Sequence, residues 1–258
     1  MNGTMRWIFG SVLVITMGAA GGMIASTCVA SRAYQAKQEV IERRDQTLQV
    51  TGSARKRIKS DLAVWTISVT GTAKELPEAY AILNDGCGRI ATFLANHKFA
   101  SDEIAPGSIS TETLYKFETI GTLKDTRVQT HEVEGYTLHR SYTITTQNVE
   151  MIAGPSSEIT ALLKDGVKLT SCAPQFYYSK IGELKVEMLG EASKDARTRA
   201  DQIVNNAGST ITDVRHARMG VLQITQPNST DVSDSGIYDT STIEKDVTAV
   251  VSLTFGLK

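Results

Sequence analysis

Histidine and cysteine are scarce, at four and three residues in 258. Most metal and nucleophilic centres are built from these residues. His97, His131, His139 and His216 are scattered, and no two stand at the i, i+4 spacing that places a zinc pair on one helix face. No glycine-rich loop followed by Lys is present to cradle a phosphate, and no nucleophile elbow appears. Charge of one sign is also missing: the net charge is −1, which excludes a nucleic-acid partner held by a basic excess. Six Phe and two Trp also argue against a base-stacking surface. The sequence therefore points to no enzyme, cofactor or metal site. Hydrophobic residues at 41% and charged residues at 21% are ordinary for a chain that buries a core.

What is present begins with one long uncharged run. No charged residue lies between Arg6 and Arg32, and Trp7 to Ala30 is long enough for the roughly 20 residues a membrane helix needs. Trp7 stands where an interfacial aromatic belongs. We read a tail at 1–6, an anchor at 7–30, a polar stalk at 31–46 and an α+β region at 47–258. A cleaved signal peptide is the competing reading, with Cys28-Val29-Ala30 as a small-x-small site, but the run exceeds the usual signal core of about 7–15 residues. Thr27 is too large for lipoprotein processing at Cys28. Arg6 precedes the span, while Arg32, Lys37, Arg43 and Arg44 follow it, so the charge count alone leaves orientation open. Cys87 reads as a small core residue, with a Cys87–Cys172 disulfide as the alternative.

Beyond the stalk, Leu48–Gly52 reads as a short strand and Arg55–Lys59 as a basic turn. Ala63–Thr72 alternates with Trp65, Ile67 and Val69 on one face, the period of a half-buried strand. Leu76, Tyr80, Leu83, Cys87, Ile90 and Leu94 fall on one helical stripe, with Pro77 tolerated in the first turn. Strands are expected at Ile109–Phe117 and Val133–Thr146, joined by a polar connection over Glu118–Glu132. A helix capped by Asn148 should reach Lys164, with Pro155 kinking or restarting it, and Asp165-Gly166 should end it. Phe176–Tyr178 follows as a strand.

A second long helix is expected over Gly182–Ala207, with Leu189, Ala192, Ala196, Ala200, Ile203 and Ala207 inward. Glu183, Glu187 and Glu191 share another face, which Lys180 and Lys194 mark as solvated rather than metal-binding. Strands at Asp213–Thr225 and Val247–Phe255 flank a polar loop over Gln226–Asp246. Helix, strand, long loop and returning strand thus occur twice. The pattern predicts antiparallel sheets covered by long helices in two pseudo-repeated halves.

Several segments carry a resemblance. They are Leu48-Gln49-Val50-Thr51-Gly52, the Trp65–Gly71 strand and Gln175-Phe176-Tyr177-Tyr178-Ser179-Lys180. Glu183 to Met188, Ala192 to Gly208 and Glu244-Lys245-Asp246-Val247-Thr248-Ala249 complete the set. In order and spacing these resemble the SIMPL-domain proteins of bacterial envelopes. The resemblance implies an α+β fold, a periplasmic or surface location, large oligomers and no agreed enzymatic activity. Some such proteins are tied to envelope integrity or oxidative-stress tolerance. The chain departs from that pattern at Arg55–Asp61, where many relatives have a Pro and this one has Ser60-Asp61.

The functional expectation is a membrane-tethered homo-oligomer of the envelope, in a structural or interaction role. A binding or chaperone-like module is the alternative. The expected interaction surface sets Arg55, Lys56, Arg57 and Lys59 against Asp231, Asp234 and Asp239 of a neighbouring subunit, head to tail.

Overall fold

The computed structural model describes residues 46–119 and 127–258. The tail, the anchor and all of the stalk except Gln46 lie outside the described residues. Among the described residues no helix is long and apolar enough to cross a membrane. The architecture is α+β, with two antiparallel sheets and few helices.

The described chain divides into two compact units. One holds residues 46–53, Leu189–Gly220 and Val250–Lys258; the other holds Ala54–Met188 and Val221–Ala249. The strands are β1 (Thr47–Lys59), β2 (Leu62–Ala73), β3 (Ile104–Pro106), β4 (Ser110–Thr119), β5 (Arg127–Thr146), β6 (Lys168–Ser171), β7 (Gln175–Tyr177), β8 (Ile211–Met219), β9 (Gln223–Thr225) and β10 (Glu244–Leu257). The helices are α1 (Leu76–Asn96), α2 (Ala153–Glu158) and α3 (Ile181–Asn206). β1, β10 and α3 contribute residues to both units.

The larger unit is built on β2. Its alternation buries Ala63, Trp65, Ile67 and Val69, and β5 pairs along its length, from Ala63 opposite Thr146 to Ala73 opposite Tyr136. β6 and β7 pair the other edge of β2. Leu83, Ile90 and Leu94 of α1 share one apolar cluster with these side chains and with Leu138, Ile144 and Ile152. Each such side chain contributes about 1.5–3 kcal/mol when fully buried. The stripe begins later than its spacing predicts, since Leu76 and Tyr80 are about half exposed and Ala79 is buried instead. The cause is Gly71 on β2, whose missing side chain lets the strand approach the backbone of α1 at Ala79 and Leu83.

The smaller unit has its own sheet. A strand (β1), a helix (α3), an edge strand (β8) and a central strand (β10) follow in sequence, and the sheet order is β1-β10-β8. In the larger unit the same positions are taken by β2, α1, β4 and β5. Leu257 donates its amide to the Gln46 carbonyl, and Thr51 meets Ser252, so β1 and β10 run antiparallel. Gly52 of β1 lies against the backbone of α3 at Ala192 and Ala196. The two contact glycines sit in matching pentapeptides, Val50-Thr51-Gly52-Ser53-Ala54 and Val69-Thr70-Gly71-Thr72-Ala73.

Several expectations are corrected. Arg55–Lys59 is not a turn but the end of β1, and the chain reverses at Ser60-Asp61. There the Asp61 carboxylate accepts from the Ser179 amide and hydroxyl, both at 2.7 Å, fixing the segment that leads into α3. Of the connection expected over Glu118–Glu132, the described residues are strand, with β4 reaching Thr119 and β5 starting at Arg127. Asn148 caps no helix: α2 begins at Ala153 and passes into a 3-10 turn at Ile159–Leu163. The strand expected over Asp213–Thr225 breaks between Met219 and Gln223, leaving β8 and β9 to pair successive stretches of β10. On α3 the buried positions are Leu184, Met188, Ala192, Ala196, Ala200 and Val204, while Ile203 is half exposed. A strict spacing of four turns the buried line by about 40° at each step, so it shares Ala192, Ala196 and Ala200 with the expected stripe and leaves it at both ends.

Candidate functional site

Two adjacent charges at the start of β10 organise the densest polar region of the larger unit. Strand alternation sends Lys245 and Asp246 to opposite faces. The Asp246 carboxylate, only 4% exposed, accepts from Arg55 Nη2 at 2.7 Å, Arg57 Nε at 2.9 Å and the Asn228 amide at 2.9 Å. Arg57 Nη2 also donates to Asn228 Oδ1 at 3.1 Å. The Arg57 and Asn228 bonds hold this carboxyl well below the usual carboxylate range. On the other face the Lys245 ammonium is fully buried and donates to the Thr242 carbonyl at 2.6 Å and to Asp239 Oδ2 at 3.1 Å. Burial pushes Lys245 below its ordinary value, and Asp239 opposes that shift. Asp239 also accepts the amides and hydroxyls of Ser241 and Thr242, which together outweigh its burial and keep it ionised. The amide of Ile224 donates to Ile237, and that of Asp239 to Ile224, so the polar loop after β9 is pinned at both levels.

Of the sequence-predicted residues, Arg55 and Arg57 are brought to Asp246 of the same chain. Lys56 meets Glu187 and Lys59 meets Glu150, both at 2.6 Å and both solvated, where an ion pair contributes little. Asp239 is occupied by its own loop. Asp231 accepts from the Ser229 hydroxyl at 2.9 Å, and Asp234 is exposed; neither is brought to the basic residues. An intersubunit role for the four basic side chains would require these bonds to be exchanged. What the cluster does within the chain is tie β1, β10 and the loop at Asn228 through one carboxylate.

In the smaller unit the notable element is β8. Among the described residues it pairs only with β10, and every residue after Ile211 is exposed. Residues 48–255 match the model of the family described as "SIMPL: Protein of unknown function (DUF541)". The chain belongs to the SIMPL family. No curated protein matches it. One solved structure that it resembles is the regulatory subunit of aspartate kinase from Thermus thermophilus in its ligand-free form. Identity is 12% over 80% of this chain and 88% of that one, with a TM-score of 0.17. At that level the likeness carries no argument.

The SIMPL chain has two adjoining grooves between α1 and the 159–168 segment, about 330 and 490 Å³, which share Asp85 and Asp165. Val69, Ile82 and Val167 line the first; Phe93, Leu162 and Arg89 line the second. Cys87 is buried and Cys172 exposed, both as free thiols, so the disulfide alternative is set aside. Among the described residues no group of three or more His, Cys, Asp and Glu is placed to hold a metal. The glutamates on α3 are dispersed, Glu187 to Lys56 and Glu191 to Lys194. Sequence reasoning missed Lys245, although the inward row Val247, Ala249, Val251 extends back to it at a period of two. It also missed the paired Val-Thr-Gly segments that mark both helix contacts.

Proposed function

We propose that this SIMPL chain is a membrane-tethered, self-associating structural or interaction protein of the bacterial envelope. The anchor is the uncharged run Trp7 to Ala30, and the α+β region lies on the outer side of the cytoplasmic membrane. In this reading the two units are pseudo-repeats, each an antiparallel sheet under a long helix, and the chain carries no catalytic step. The observation that supports it best is β8, a nine-residue edge strand exposed on both faces, with Val214 48% and Met219 63% exposed. An uncovered edge of that length is a template for pairing with another chain. Light scattering on the full chain in mild detergent tests the reading: a mass several times that of the protomer is expected, and a monomer at all concentrations refutes it.

A second reading, a binding or chaperone-like module, is favoured by the grooves beside α1. It replaces the first if the protein stays monomeric, suppresses aggregation of an unfolded client and loses that activity in Leu162→Arg.

A further inference from the structure

The inner face of β8 continues a buried row that nothing among the described residues covers. Met219, Ala217 and Val214 stand opposite Val251, Leu253 and Phe255 of β10. The three β10 side chains are at most 8% exposed, whereas all three on β8 are exposed. Ile203 on α3, in the same unit, is 49% exposed. The sheet thus stops one strand beyond its helical cover, with its apolar row open to water.

The charges on β8 select what can pair with its free edge. Asp213, Arg215 and Arg218 lie on this strand, and a bulge interrupts its register with β10 near Val214. Such features discourage pairing with an arbitrary strand. Two of these charges, Asp213 and Arg218, are answered by a second copy of β8. Read antiparallel in the register that opposes Val214 to Ala217, Asp213 stands opposite Arg218, and two-fold symmetry makes each pair occur twice. The Asp213 carboxylate is 63% exposed and its contact with Arg215 of the same chain is a loose 3.4 Å, so it is accessible to a second chain. In that register Val214 meets Ala217 and Asp213 meets Arg218, while Met219 falls opposite Thr212 and Arg215 opposite His216.

We propose that two copies of this chain associate through β8, edge to edge and antiparallel, so that the β1-β10-β8 sheet continues across a two-fold axis. The inference rests on the self-association proposed above and names its surface. Larger assemblies would then need a second contact elsewhere, since an isologous edge closes on itself.

Charge exchange tests it. Full-length protein in mild detergent is followed by light scattering across a dilution series, as wild type, Arg218→Asp, Asp213→Arg and the double variant, with circular dichroism confirming the fold. Each single reversal should raise the midpoint of dissociation about tenfold, because two like-charge pairs replace two opposite ones. The double variant should return it to near the wild-type value. Amide exchange across Val214–Met219 should slow only at concentrations where the protein associates. A wild type that never associates overturns this proposal and the self-association reading together. Association unaffected by either single reversal leaves self-association standing and overturns β8 as its surface. Loss without rescue in the double variant means that another strand pairs with β8, and slow exchange in the dilute monomer means that the chain's own segment covers it. Either result overturns the proposal.

Discussion

A buried carboxylate that holds two guanidiniums and a backbone amide is a fastening, and its strength depends on its charge. Asp246 is held below its ordinary value of 3.8 by Arg57, Asn228 and Arg55. A depressed folded value means that the contribution to stability is complete above the ordinary carboxylate range. It is lost as pH falls below that range and through the folded value. Asp246→Ala should therefore cost about 2 kcal/mol at neutral pH, since hydrogen bonds to a charged group are lost while the half-exposed guanidiniums regain water. Chemical denaturation at pH 7 and pH 3 checks the sign: wild type should lose more stability over that interval than the variant. An equal loss in both would show that Asp246 is not the titrating group. Asp239 differs because its partner Lys245 is fully buried. Removing that carboxylate would strand an ammonium with the Thr242 carbonyl, and loss of one partner of a buried pair is the costlier case.

At the scale of elements, the two glycines on β1 and β2 decide how closely the helices lie. A side chain at Gly52 would overlap the backbone of Ala192 and Ala196, and one at Gly71 that of Ala79 and Leu83. Backbone cannot rotate aside as a side chain can, so Gly52→Val and Gly71→Val should each destabilise by about 3 kcal/mol. Gly88→Ala is the contrast. It lies within α1 with open space where its Cβ would stand, and helix propensity alone should stabilise it by about 0.8–1 kcal/mol. Thermal melts of the three variants separate the cases, and a Gly71→Val protein as stable as wild type would refute the close contact. Long periodic elements such as β2, α1, α3 and β10 were legible in the sequence because one face of each is apolar at the right period. The end of β1 was not, because Arg55, Lys56, Arg57 and Lys59 form a polar run whose strand pairing is provided by β10, far along the chain. The 148–164 segment misled for the opposite reason: Asn148 and Pro155 are locally good helix signals, but the helix starts only at Ala153. The polar cluster was half legible. Its basic members were seen, yet Asp246 as their acceptor and Lys245 as a core residue depend on which loop folds back over β10.

For the whole molecule, the physical terms that would set the side of the α+β region pull apart if Trp7 to Ala30 is the proposed anchor. Counting Lys and Arg near the span gives Arg6 before it and Arg32, Lys37, Arg43 and Arg44 after it, which favours a cytoplasmic region. We propose the opposite orientation, because the SIMPL resemblance implies an exported protein and because Glu39, Glu42 and Asp45 are interspersed with the later bases. Acidic residues count for little in the rule, so the weight lies on the family. The expected outcome is that the protein remains in the membrane fraction after carbonate washing and that a reporter fused after Lys258 is active only outside the cytoplasm. Mature protein whose N-terminus begins near Ser31 would replace the anchor with a cleaved leader while keeping the exported side. A reporter active only in the cytoplasm would instead show that the charge count governs, and the envelope role proposed for this chain would fall with its location.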